Sequence, residues 1–583
     1  MSFDGLVMAA VKEELIEKVV GGRVEKIYQP VAREIVLLIH KDKNKYRLLV
    51  SADATDARVH LTQTARENPL TPPLFCMVLR KHLEGGRITK ITQTGLERVL
   101  TIGVDAVDEL GMLSAKNLVC EVMGKHSNII LVDPASDVIL DGINRFSYAT
   151  SRHREILPGR VYSPPPESGK MNPLEVTEEA FRSALWDPDQ DVPIEKLILN
   201  SFEGFGPQTC REVTVRAGID PGISNQFLGE LELQRLWETF RTIRNCVASG
   251  MFKPSLCYKG SIPAAFSAVE LSQFSETVCK AGQISETLDE FFSTRGKQQR
   301  LKLAVLELTK VVRHAFKKCQ NKHSIHQETL RKAQDTERLK ITGELITANI
   351  YQIPKRVGSV ELENYYDPDG GKIVVELDPR MSPAENAQSY FKKYTKARSS
   401  QAIAEIYLKE TKAELTYLES VMVSLEQADE ISELAEIKAE LIKEGYIKPE
   451  APAKGVKKTL PAVEPEPMRF KSKDGLDILV GRNNRQNDYL TQKMARPEDL
   501  WLHVKDIPGS HVIVKNPGGT ETPKQSLQQA AEIAAYYSKA RESSKVPVDY
   551  TLRKWVRKPK GAKPGTVIYE NQRTIIVEPK GLS

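Results

Sequence analysis

The sequence predicts an α+β protein of several domains: a mainly antiparallel sheet domain at the N-terminus, a helix-hairpin-helix, a long antiparallel coiled-coil arm and a small C-terminal α+β domain. Three observations carry this expectation. The chain has 583 residues, whereas one hydrophobic core stops growing at roughly 250–300 residues. Short β-patterned runs punctuated by turn residues fill the first quarter of the chain. Two long stretches are nearly free of helix breakers: 297–352 holds no proline and one glycine, Gly343, and 384–444 holds neither.

From Asp4 to Val20, Leu6, Val7, Ala10, Val11, Leu15 and Val19 recur at helical spacing, and Gly21-Gly22 ends the helix. Strand-like runs follow at Arg23–Tyr28, Glu34–Ile39 and Tyr46–Ser51. Pro72-Pro73 opens a helix over Leu74–Leu83, closed by Gly85-Gly86. Further strands are predicted at Ile88–Gln93, Arg98–Val104, Asn117–Met123, Ile129–Val132 and Val138–Leu140. Residues 160–190 are rich in proline and acids and read as a connector. Between Ile194 and Ala217, two short helices flank Glu203-Gly204-Phe205-Gly206-Pro207. Such glycines permit a tight turn with outward amides, the usual way this motif holds a nucleic-acid phosphate; a plain helical corner has the same pattern. In the breaker-free stretches, Leu301, Val305, Leu308 and Val312 step by three and four and should face Leu425 and Leu434 on a returning helix. At 1.5 Å per residue, each helix could span roughly 80–90 Å. Gly358–Asp378 between them reads as a hairpin around an Asp-Pro-Asp-Gly-Gly turn. The expected boundaries are 1–175, 176–280, 281–446 for the arm, 447–466 for a Pro/Lys/Glu linker and 467–583.

The net charge of +6 is unevenly placed, because residues 467–583 carry 21 Lys and Arg against 12 Asp and Glu. A basic terminal domain points to a polyanionic partner. No apolar run approaches the ~20 residues of a membrane helix, and the acidic N-terminus lacks a signal-peptide pattern, so a cytoplasmic location is expected. The seven cysteines lie no closer than eleven residues apart, which excludes a CxxC zinc knuckle and suits reduced, mostly buried thiols. Phosphate loops, HExxH and GxSxG are absent. No metal, cofactor or catalytic residue is expected, and His503 and His511 read as packed or phosphate-facing.

Several stretches together resemble the NFACT family of ribosome quality-control factors, some of which are also labelled fibronectin-binding proteins. They are Phe3-Asp4-Gly5, Gly22-Arg23-Val24-Glu25-Lys26-Ile27-Tyr28-Gln29-Pro30, Leu79-Arg80-Lys81-His82-Leu83-Glu84-Gly85 and Leu96-Glu97-Arg98-Val99. Glu121-Val122-Met123-Gly124-Lys125-His126-Ser127-Asn128 is the most distinctive. Glu385-Asn386-Ala387-Gln388, Tyr390-Phe391-Lys392-Lys393-Tyr394, Asp499-Leu500-Trp501-Leu502-His503-Val504-Lys505 and Pro508-Gly509-Ser510-His511-Val512 follow in the family's order.

The resemblance implies an NFACT-N domain with a formamidopyrimidine-glycosylase-like fold and an RNA-binding NFACT-R domain. It implies binding to 50S subunits that carry peptidyl-tRNA, contact with 23S rRNA, and recruitment of tRNA for C-terminal tailing of the nascent chain, with tRNA-Ala the expected species. The ribosome performs the chemistry, and the protein acts there as a monomer beside other quality-control proteins. The family's Asp-Arg pair for tRNA falls on Glu97 and Arg98, with Glu a departure that lengthens the side chain by one methylene. Lys125 and His126 join them as tRNA-binding candidates. Gly204, Gly206, Lys493, Arg496, Lys505, Arg553, Lys554, Arg557 and Lys558 are candidates for nucleic-acid backbone contacts, with Trp501 assigned to the core. A base-excision enzyme is disfavoured, because Met1-Ser2 stands where such glycosylases use an N-terminal proline amine and their cysteine zinc finger is missing. A fibronectin-binding adhesin is the alternative, without an LPxTG sorting motif; a protein-only scaffold is a third reading.

Overall fold

A computed structural model describes residues 3–107, 111–147, 154–166, 168–186, 191–260, 262–274, 279–332, 336–367, 371–449, 465–516, 518–519 and 522–581. Two compact units divide the chain, Met1–Gln298 and Gln299–Ser583.

The first unit begins with helix α1 (Gly5–Val19), followed by β1 (Arg23–Val31), β2 (Glu34–Lys41), β3 (Asn44–Ser51), β4 (Arg58–Leu61), α2 (Leu74–Leu83), β5 (Arg87–Gln93), β6 (Val99–Val107), β7 (Leu113–Glu121), β8 (Asn128–Asp133) and β9 (Val138–Gly142). The strands form one sheet in the order β4-β3-β2-β1-β5-β6-β7-β8-β9, antiparallel throughout and packed against α1 and α2. Strand β4 escapes the sequence reading because Arg58 and His60 break its apolar pattern. Both are buried in the fold, where Arg58 pairs with Glu34 at 3.3 Å.

Residues 160–190 are more than a connector, although 167 and 187–190 fall outside the described residues. Thr177 caps helix α3 (Glu178–Leu185), which buries Phe181 and Leu185. Phe181 packs at 4.7–5.5 Å on Phe202, Trp237 and Phe240, aromatic partners supplied from elsewhere in the chain. Helices α4 (Ile194–Ser201) and α5 (Pro207–Arg216) form the expected pair, with Pro207 opening the second, and α6 (Glu230–Ala248) packs beside them. A three-stranded sheet, β11-β10-β12, follows from β10 (Ser255–Lys259), β11 (Ile262–Ser267) and β12 (Cys279–Ala281). Its register sets Cys257 opposite Cys279, and the two form a disulfide. This corrects the expectation of reduced thiols for that pair: 22 residues separate them in sequence, but strand pairing makes them neighbours. Cys76, Cys120, Cys210 and Cys319 are free and buried.

Helix α7 (Ile284–Lys332) is followed in the second unit by α8 (Thr336–Ala348), β13 (Ser359–Glu363), β14 (Lys372–Glu376), α9 (Pro383–Glu426) and α10 (Ile431–Lys443). Strands β13 and β14 pair antiparallel. Residues 368–370 of the expected turn lie outside the described residues. A capping box starts α9: Ser382 Oγ accepts from the Glu385 amide, and Glu385 accepts from the Ser382 amide at 2.7 Å. Leu308, Val312 and Cys319 cluster with Leu418, Val421, Leu425, Leu434 and Leu441. The Cys319 thiol donates to the Thr411 carbonyl at 3.5 Å, and His326 stacks on Tyr407 at 5.1 Å, so α7 and α9 run in opposite directions here. The stretch 384–444 is two helices rather than one. Ala428, between them, belongs to the same cluster, and the Asp429 amide donates to Glu433 at 3.0 Å. Burial of α10 against that cluster, not a glycine or proline, ends α9.

Of the linker 447–466, residues 450–464 lie outside the described residues. Beyond it come β15 (Met468–Lys471), β16 (Asp477–Val480), α11 (Asn484–Tyr489), β17 (Leu500–Val504), β18 (Val512–Val514), α12 (Lys524–Tyr536), β19 (Val546–Leu552), β20 (Val556–Arg557), β21 (Ile568–Tyr569) and β22 (Arg573–Val577). Six strands form a sheet in the order β15-β16-β18-β17-β19-β22. Period-two alternation sends Ile478, Val480, Leu502, Val512 and Val514 towards Ala530, Ala531, Ile533 and Ala534 of α12, and Leu479, Trp501 and Ile513 to a second core on the other face.

Candidate nucleic-acid interface

The first candidate site begins at Asp4. As N-cap of α1, its carboxylate accepts from the Val7 amide at 3.0 Å. The same carboxylate accepts from the Gly206 amide at 3.1 Å and the Thr209 hydroxyl at 2.6 Å, at the start of α5. Two helix N-termini thus share one buried acid, an arrangement their dipoles favour. Burial pushes the Asp4 carboxyl above its ordinary value, opposed by these hydrogen bonds and by the Arg98 charge. Gly5 has no room for a side chain: a Cβ would lie 1.9 Å from the Leu96 carbonyl oxygen and 2.5 Å from the Gly204 Cα. Its amide donates to the Gly204 carbonyl at 2.8 Å. The loop before β6 is tied to the same corner, since Glu203 accepts from the Leu96 amide at 2.9 Å and the Gln93 side chain donates to the Gly5 and Glu97 carbonyls.

This convergence engages the Gly206 amide, one of the helix-hairpin-helix amides expected at a phosphate. The Gly206 amide faces inward to Asp4, and Gly204 packs on Leu96 with its carbonyl bound to Gly5. Beside them lies a recess of about 260 Å³ with Glu97, Arg98, Ser168, Lys170 and Glu203 in its lining. Ser168 donates to Glu97 at 3.2 Å, and Lys170 to the Leu199 carbonyl at 2.6 Å. Burial raises the Glu203 carboxyl above its ordinary value, with the Glu97 and Glu175 charges adding to it. Ser168, Lys170 and Glu203 were not foreseen, because only folding places them opposite Glu97 and Arg98.

Arg98 lies one residue before β6 rather than within it, and is half-buried. Its carbonyl accepts from the Val122 amide at 2.9 Å, so the turn after β7 is stitched to it. Gly124, at φ 61°, opens that turn, and Lys125 and His126 are exposed on it. Beneath it Glu121 is buried and bound by Arg154 and, at 2.9 Å, by the Tyr162 hydroxyl. Ser127 accepts from the Met123 amide, and Asn128 and Asn144 brace the far side. The distinctive stretch is thus largely scaffold that presents two polar side chains at the end of the sheet where Glu97 and Arg98 lie.

In the C-terminal domain, Lys493, Arg496, Lys505, Lys554 and Arg557 are exposed. Two other candidates are engaged internally. Arg553 donates to the carbonyls of Thr491 and Val556, and Lys558 pairs with Asp488, so each already makes bonds within the domain. Trp501 is fully buried, as expected for core. His511 bonds Thr491 at 2.8 Å and packs edge-on to Trp501; burial, with His503 beside it, drives its pKa down to about 3. Among the described residues there is no cluster of His, Cys, Asp or Glu that could hold a metal, and no helix long and apolar enough to cross a membrane.

Residues 4–459 match the NFACT N-terminal and middle domains, and residues 467–571 match the NFACT protein RNA-binding domain; the chain belongs to the NFACT family. Among relatives, it is 38% identical over 579 residues to the Rqc2 homolog RqcH of Bacillus subtilis, covering 99% of this chain and 98% of that one. It is 36% identical over 580 residues to the Rqc2 homolog RqcH of Streptococcus suis, with the same coverage. To the human ribosome quality control complex subunit NEMF it is 22% identical, over 92% of this chain and 56% of that one. The N-terminal part of the fibronectin/fibrinogen-binding protein from Streptococcus suis is similar over 50% of this chain and 99% of that one, with TM-score 0.42 and 33% identity.

Proposed function

We propose that this protein is a cytoplasmic ribosome quality-control factor that binds 50S subunits carrying peptidyl-tRNA and brings tRNA, tRNA-Ala foremost, to them for C-terminal tailing of the stalled chain. The peptidyl-transferase centre of the subunit forms the bonds. The protein supplies grip and selection through Glu97, Arg98, Lys125 and His126 towards tRNA, and through exposed cations of the C-terminal domain towards 23S rRNA. The breaker-free helices act as a coiled-coil arm. The observation that carries this reading is the hydrogen bond from Val122 to Arg98, which joins the Glu97-Arg98 corner to the Lys125-His126 turn at one sheet end. An arginine fork beside exposed polar groups suits a phosphate or a guanine edge. Sedimentation of a tagged copy through sucrose, with sequencing of the bound small RNAs, tests it. The protein is expected with free 50S particles and enriched in tRNA; equal recovery with 70S, or no tRNA, overturns it.

A further inference from the structure

The C-terminal domain holds a second recess, of about 500 Å³. Tyr550, Thr551, Lys554, Trp555, Asn571 and Arg573 line it. Trp555 closes a three-residue turn whose backbone is pinned at each end: the Arg553 amide donates to Asp499 at 2.8 Å, the Lys554 amide to Pro497 at 3.1 Å, and the Trp555 carbonyl accepts from Glu570 at 3.3 Å. The indole is therefore presented by a rigid frame while remaining partly open. Strand pairing sets Tyr550 directly opposite Arg573. Lys554 and Arg573 are exposed and, among the described residues, neither is in an ion pair; Lys554 lies 5.6 Å from the Trp555 ring centre. Asn571 holds a positive φ of 54° at the rim, a conformation that asparagine tolerates better than most residues.

We infer that this recess receives one unstacked nucleotide of single-stranded RNA, with the base against Trp555 and Tyr550 and the phosphate towards Lys554 and Arg573. Flat aromatic walls match a base face, which every base possesses. Asn571 and the Glu498 carboxylate, which also lines the recess, offer acceptors and a donor for a base edge. A bare anion needs no aromatic wall, and the polar, charged lining disfavours an aliphatic chain. Duplex RNA keeps its bases stacked and cannot place one in a recess. The inference rests on the RNA-binding reading proposed above and adds strand selectivity to it.

The full-length protein is titrated with a fluorescent single-stranded poly(A) oligonucleotide and with duplex RNA of equal length. Trp555→Ala is expected to raise Kd for the single strand about five- to hundredfold, the range of one missing base stack. Trp555→Phe should stay near the parent, and duplex binding should not change. Arg573→Gln, at an exposed site, should lower the salt slope by about 0.7, one phosphate's share for single strands. An unchanged Kd with Trp555→Ala, or an equal loss on duplex, overturns the inference while 50S co-sedimentation survives. Loss of co-sedimentation by the parent protein overturns the broader reading instead. If Trp555→Ala melts early, photo-crosslinking of the parent to 4-thiouridine RNA decides: adducts on Trp555 or Tyr550 support the inference, and adducts only elsewhere refute it.

Discussion

Asp4 shows how much one side chain can join. It accepts three hydrogen bonds from two helix starts that are 202 residues apart in sequence. Asp4→Ala strands buried donors at both ends and should cost about 2–3 kcal/mol in denaturant unfolding. Its pH signature follows from the raised carboxyl. An acid whose folded pKa exceeds its unfolded value adds stability that is complete below the unfolded value, here near 3.8, and is lost as pH rises through the folded one. Asp4→Asn should remove that slope above pH 3.8, and an unaltered pH profile would contradict the assignment. Arg98 makes the complementary case. Arg98→Ala should leave melting and 50S association near the parent while removing tRNA from the purified complex. A surface pair without function, worth at most about 1 kcal/mol, would leave tRNA recovery untouched. Glu97→Asp should be tolerated, since it keeps the charge that the Ser168 hydroxyl meets.

At the scale of elements, the paired helices depend on an apolar seam. Leu308, 6% exposed, sits with Val312, Leu425 and Leu434. Leu308→Asp should cost at least the 2–5 kcal/mol typical of a truncated buried leucine, roughly, because a buried charge adds to the missing apolar packing. Limited proteolysis should then open α7 and α9 while the C-terminal sheet stays resistant. Helix α10 has a different task on its other face, where Glu433 pairs with Arg482, Glu436 accepts from Asn483 and Gln486 at 2.7 and 3.0 Å, and Glu440 accepts from Asn484 at 3.2 Å. These carboxylates seat the loop that starts α11. Glu436→Ala leaves two amide groups without an acceptor, and hydrogen exchange over Asn484–Tyr489 should accelerate; unchanged protection would show that the seat does not depend on this residue.

For the molecule as a whole, charge placement decides how strongly RNA is held. Lys493, Arg496, Lys505, Lys554 and Arg557 are exposed, whereas Arg553 and Lys558 are half-buried and bonded within the domain. Neutralising Lys493, Arg496 and Lys505 together should weaken all RNAs alike and flatten the dependence of log Kd on log salt by about 0.7–0.9 for each phosphate no longer neutralised. A changed preference among tRNAs at constant total affinity would contradict a backbone-only role.

Local pattern alone determined α2, α4 and α5 and the antiparallel character of the first sheet, because apolar periodicity, proline and glycine act within a few residues. The motifs likewise marked Glu97-Arg98 and the turn carrying Lys125 and His126. Only the tertiary structure decided what meets across distance. It turned the Gly206 amide towards Asp4, joined Cys257 to Cys279, folded α10 back where composition reads one helix, and brought Lys170 and Glu203 to the Arg98 recess. Periodicity reports which face of an element is apolar; which partner covers that face, and which polar group is satisfied there, is set by packing between segments far apart in the chain.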